Sequence, residues 1–259
     1  MHTSSAYSLF LNSRFHLLAS TLLISLLVIS ILRLSIPDDQ LYAIRTQQTF
    51  GFLCLIYWYV ALIISPIGSI IGKTRIRHLT FLRRAVGVSA CYFALLHGGI
   101  ALWGQLGGIA QLQYLPSLFQ WSLLGGAIAI IVLCLMALTS FDAVVRFMSY
   151  RKWKWLHRLV YAAWFLVVLH VWSVGTHLAY NNVQLMAFSA LAILSGLELY
   201  RILRTANIKK LHLNKTEFVT FFLAVWVAAL ALILTIPTVV QNYHSRHTDH
   251  ESTLHGDAS

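Results

Sequence analysis

The chain has 259 residues, of which 58% are hydrophobic and only 10% charged. A soluble domain carries about 25% charged residues, so that class is excluded, and the net charge of +11 needs an explanation inside a membrane protein. Several apolar runs reach about 20 residues, the length that crosses a hydrocarbon core of about 30 Å, so the expected fold class is all-α: a polytopic helical bundle of about seven transmembrane helices in a lipid bilayer.

The first apolar run covers residues 15–34. It is longer than a signal-peptide core, and no small-residue cleavage site follows before Ile36-Pro37-Asp38-Asp39. It therefore reads as an uncleaved membrane helix. Residues 35–49 read as an external loop. A second span follows at 50–72, with Pro66 near its end, where neighbouring helices can cover the freed carbonyl. The third span is 85–104. The fourth, 119–141, contains Gly125-Gly126, which would let another helix approach closely. Spans five to seven are 156–175, 183–200 and 217–240, and a polar, His-rich tail of 241–259 completes the chain. Trp103, Trp121, Tyr150, Trp153 and Trp155 fall near span ends, where amphipathic rings favour the interface. Cys54, Cys91 and Cys134 lie inside apolar runs without a CxxC pair and read as small buried hydrophobes.

The basic residues orient this array. Lys73, Arg75, Arg77, Arg83 and Arg84 follow span two. Arg146, Arg151, Lys152, Lys154 and Arg158 follow span four. Arg201, Arg204, Lys209, Lys210 and Lys215 follow span six. With Arg14 these are 16 of the 19 Lys and Arg, leaving Arg33, Arg45 and Arg246 on the other side. The positive-inside rule then places the N-terminus and the three basic loops in the cytoplasm, with the C-terminus external, for a multi-pass protein of the cell inner (plasma) membrane. The net charge is a topology signal, and no nucleic-acid partner is expected.

Histidines inside apolar spans are costly and need a partner or a purpose. Spans three and five both start on the basic side. His97 lies 13 residues beyond Arg84, and His170 lies 13 residues beyond His157. Each therefore travels about 20 Å from that face. Two imidazoles at matched depth on different helices suit the two axial positions of a haem iron. They also suit simple interhelical hydrogen bonding. At the depth of His157, span three offers Arg83 and Arg84 instead of a histidine. A spacing of 13 also leaves His157 and His170 about 140° apart on an ideal helix, so both face one interior only if the helix bends or bulges. His244, His247, His250 and His255 form either a weak external metal site or a plain polar tail.

Four stretches resemble the ferric reductase-like transmembrane domain, in its bacterial MsrQ (YedZ) branch. They are Ile64-Ser65-Pro66-Ile67; Arg83-Arg84-Ala85-Val86-Gly87 with Leu95-Leu96-His97; Ala137-Leu138-Thr139-Ser140; and Trp155-Leu156-His157-Arg158-Leu159-Val160-Tyr161 with His170-Val171-Trp172-Ser173. The resemblance assigns residues 50–203 to that domain, flanked by the N-terminal helix and loop (1–49), a basic loop with an extra helix (204–240) and the tail (241–259). It implies a haem b electron conduit with His97 and His170 as ligands, and His157 as a third family histidine of less certain role. One haem is expected. A second stays open, because Arg83 and Arg84 replace the inner histidine of the related oxidases. Arg84 could instead pair with a haem propionate or a flavin phosphate, or belong to a topogenic loop. FMN is implied by the resemblance alone.

The expected function is electron transfer across the membrane, from a cytoplasmic flavin reductase or a quinol to an external acceptor, either a periplasmic reductase or ferric iron. The chain departs from the branch in its seventh span and tail. Alternatives are a non-catalytic anchor subunit of a redox complex or a cytochrome b561-like protein, which would show two histidine pairs. A retinal protein is disfavoured, because span seven has no lysine.

Overall fold

The computed structural model describes residues 3–72, 77–175 and 181–208. Among these the regular elements are all helical. Helices α1 (Thr3–Ser35), α2 (Asp39–Ile71), α3 (Arg77–Gly99), α4 (Ser117–Leu138), α5 (Asp142–Phe147), α6 (Tyr150–Leu156), α7 (Leu159–Val174) and α8 (Asn181–Ile208) follow in order. Five stretches among the described residues are long and apolar enough to cross a membrane: Arg14–Ser35, Asp39–Gly68, Leu82–Gln105, Ser117–Leu138 and Arg151–Val174. Helix α8 coincides with the sixth predicted span. The seventh span and the histidine tail lie outside the described residues.

Three features differ from the expectation. Residues 39–49, read as loop, form the first three turns of α2. Asp38 caps that helix: its side chain accepts from the Leu41 amide at 2.6 Å, satisfying one of the orphan donors of the first turn. Span five is not one helix either. It breaks at His157–Arg158 between α6 and α7, so His157 and His170 do not share an unbroken helix and the 140° conflict disappears. Finally, α3 gives way after His97-Gly98-Gly99 to a π-helical turn, Ile100–Gln105, a geometry common beside functional sites.

The core is built from small residues that let backbones approach, with aromatic rings between them. Ala90, Ala94, Ala129 and Ala163 are buried, as are Phe50, Trp58, Phe93 and Trp164. Without a hydrophobic drive between helices in lipid, such close packing supplies the association energy. Helix α2 packs mainly on α3, and α4 on α7. Helix α1 lies against α3 through polar contacts: Thr21 Oγ1 to Ser89 Oγ at 2.8 Å and Ser25 Oγ to Tyr92 Oη at 2.9 Å. Most of its leucines face outward, as a lipid-exposed helix requires.

Candidate functional site

Helices α3 and α7 bring His97 and His170 together. Their ring centroids are 6.2 Å apart and their planes are nearly perpendicular, at 84°. His97 Nδ1 lies 2.9 Å from the Gln47 carbonyl on α2. His170 Nδ1 lies 3.0 Å from the Ser122 carbonyl on α4. A carbonyl can only accept, so each ring carries its proton on Nδ1 and keeps a lone pair on Nε2. That is the arrangement of a metal-ligating histidine: one nitrogen fixed by a backbone acceptor, the other free.

The spacing fits a shared metal. Two nitrogens each about 2 Å from a metal lie about 4 Å apart, and the ring centres lie somewhat farther out on either side. A centroid separation of 6.2 Å therefore suits two axial ligands on one atom. Among the described residues no group of three or more His, Cys, Asp or Glu could hold a metal ion. The pair has the ligand number for an iron whose other positions a porphyrin fills.

Two glycines make room for the rings. A Cβ at Gly51 would sit 2.7 Å from His97 Nδ1, and one at Gly126 would sit 3.0 Å from His170 Nδ1. Each imidazole thus lies against bare backbone on a second helix. In the sequence Gly126 signals only close helix approach. Gly51, inside the apolar run of span two, and the Gln47 carbonyl carry no mark of this role in the sequence.

His157 sits elsewhere. Its Nδ1 lies 3.1 Å from the Trp153 carbonyl, and its ring overlaps the Trp153 indole with centroids 4.0 Å apart. Arg84 is engaged by Asp142 at 2.6 Å and lies over the Trp153 ring at 5.2 Å. Asp142 also pairs with Arg14 at 3.3 Å, so one carboxylate ties α1, α3 and α5. Arg83 donates through Nε to the Ala61 carbonyl at 2.8 Å and through Nη1 to Ser65 Oγ at 3.3 Å. Both acceptors lie in the turn of α2 that precedes Pro66. Arg201 pairs with Glu198, one turn earlier on α8, at 2.6 Å and donates to Tyr161 Oη at 2.8 Å. The cysteines are free, and Cys91 Sγ lies 3.6 Å from Cys134 Sγ.

Residues 50–169 match the family model described as the ferric reductase like transmembrane component. A Bordetella pertussis protein, the haem-binding subunit MsrQ of protein-methionine-sulfoxide reductase, is 30% identical over 157 residues, covering 59% of this chain and 70% of that protein. The chain belongs to the ferric reductase-like transmembrane family, on its MsrQ branch. The MsrQ protein of Deinococcus radiodurans is 35% identical over 134 residues, 49% of this chain and 60% of its own length. That of Pasteurella multocida is 29% identical over 183 residues, 70% of this chain and 88% of its own length. No solved structure matches. The matched segment contains Gly51, His97, Gly126 and His157 and ends at the residue before His170.

Proposed function

We propose that this multi-pass membrane protein is a haem b-binding electron-transfer subunit in which His97 and His170 are the axial ligands. The observation that carries the reading is the ring pair at 6.2 Å with both Nδ1 atoms bound to backbone carbonyls on other helices. The relatives' names, haem-binding subunits of a methionine sulfoxide reductase, support the same cofactor.

A haem b held this way supplies one-electron transfer. The chain's own residues do the rest. Gln47 and Ser122 set the tautomer and orientation of the two rings. Gly51 and Gly126 let those rings lie against α2 and α4. The apolar core keeps water from the site. The positive-inside reading puts the basic end in the cytoplasm and the histidine pair in the outer half of the bilayer. Electrons then run from a cytoplasmic flavin reductase or a membrane quinol towards an external acceptor, a periplasmic reductase or ferric iron. The cation-rich end with Arg83, Arg84 and Arg201 is the donor side, and any FMN would bind there through its phosphate.

The test is an optical spectrum of purified protein. A Soret band that shifts on dithionite reduction, with about one haem per chain, supports the reading. Protein that folds without a haem band contradicts it. Reduction of the loaded protein by a quinol, or by a flavin reductase with its nicotinamide, then identifies the donor.

A further inference from the structure

Two buried indole donors have no acceptor among the described residues. Trp58 on α2 and Trp164 on α7 are 2% and 8% exposed. Neither indole Nε1–H has a hydrogen-bond partner among the described residues. The rings meet edge to face, with centroids 5.4 Å apart at 75°. That contact can offer one N–H a weak π acceptor, but an edge-to-face pair cannot serve both. An indole nitrogen only donates, and a donor left unpaired in an apolar bundle is costly.

Their position relates them to the histidine pair. Trp58 is seven residues beyond Gly51, so it lies on nearly the same face of α2 and about 10 Å closer to the basic end. Trp164 is six residues before His170, about 9 Å in the same direction. Both indoles therefore stand at one depth, beneath the histidine pair, within the length of a porphyrin edge and its carboxylate arms. Haem b carries only one kind of strong hydrogen-bond acceptor, its two propionate carboxylates. At the opposite end the nearest cation on α2 is Arg45, which is exposed and already donates to Gln48 Oε1 at 3.2 Å.

We infer that the Trp58 and Trp164 indoles hold the propionate edge of the haem, which is therefore turned towards the basic end. The inference rests on the haem reading above and adds residues that are not ligands. Trp58 and Trp164 act as positioning residues. Their N–H groups disperse carboxylate charge in a low-dielectric site, which favours the reduced haem, the state with one more negative charge.

The experiment compares haem-loaded wild type with Trp58→Phe, Trp164→Phe, the double variant and Arg45→Ala. Haem content, midpoint potential by redox titration, and the propionate bending band by resonance Raman are measured on each. Expected are retained haem, a lower midpoint potential in each Trp variant and a lower one still in the double, a moved propionate band, and no change in Arg45→Ala. Retained haem with unmoved potential and band in both Trp variants overturns the inference. So does a shift in Arg45→Ala alone, which places the propionates at the other end. If a variant does not fold, ultraviolet resonance Raman of wild type decides: the indole N–H band should move between haem-free and haem-loaded protein, and an unmoved band overturns the inference. Wild type that folds without haem overturns the haem reading itself, whereas haem with unmoved bands overturns only the propionate assignment.

Discussion

Replacing Gly51 or Gly126 by alanine tests the proposed site without touching either histidine. The added Cβ of Gly51→Ala would lie 2.7 Å from His97 Nδ1. Ordinary carbon contacts are about 3.5–4.0 Å, so the ring must retreat by about 1 Å. The Nδ1 to Gln47 carbonyl distance of 2.9 Å then lengthens beyond hydrogen-bond range. Losing such an outer-shell partner typically costs about 10- to 100-fold in metal affinity, in line with about 1–3 kcal/mol for overpacking a tight site. Gly126→Ala should act the same way on His170, with its Cβ 3.0 Å from Nδ1. Gly125→Ala is the control, because its Cβ meets nothing closer than 3.9 Å. Haem binding to haem-depleted protein in detergent, followed at the Soret band, reads the effect. The expected order is wild type equal to Gly125→Ala, with both other variants weaker by at least tenfold. Equal affinity in all four proteins would refute the assignment of these glycines.

His157→Ala should keep its haem, because that ring is occupied by the Trp153 carbonyl and indole; loss of most of the haem would make His157 a ligand after all. Asp142→Asn should cost about 1 kcal/mol or less in thermal stability, since its pairs with Arg14 and Arg84 are partly exposed, and haem content should not change. Glu198→Ala should be more damaging, about 1–3 kcal/mol, because the buried carboxylate bonds both Arg201 and Tyr161; a melting temperature equal to wild type would contradict this. A Thr21→Val and Ser89→Ala cycle should give a coupling of about 0.6 kcal/mol for the α1–α3 hydrogen bond, read from denaturation in mixed micelles.

The histidine pair was legible because charge and depth are both written linearly in the chain. The basic loops fix which ends align, and a rise of about 1.5 Å per residue then places His97 opposite His170. The break at His157–Arg158 was not legible. The stretch from Trp155 to Tyr161 carries no proline or glycine, and the break shows only as a tightening to i−3 bonds, Arg158 N to the Trp155 carbonyl and Tyr161 N to the Arg158 carbonyl. The three extra turns of α2 left a signal, Pro37-Asp38-Asp39 ahead of a helix start, but Arg45, Gln47 and Gln48 gave the segment the polarity of a loop. The partners that orient the two rings were invisible for a different reason. Two are backbone carbonyls, at Gln47 and Ser122, and a carbonyl leaves no trace in residue identity. Arg84 was legible as a cation but not as a partner of Asp142, since that pairing joins residues 58 apart.

The most direct test of the central claim is haem content and spin state in His97→Ala and His170→Ala beside wild type. Pyridine haemochrome assay and low-temperature electron paramagnetic resonance of the oxidised proteins supply both. Two axial imidazoles predict about one haem per wild-type chain with a low-spin ferric signal, and loss of that signal in each variant. A low-spin signal at full haem content in either variant would contradict it.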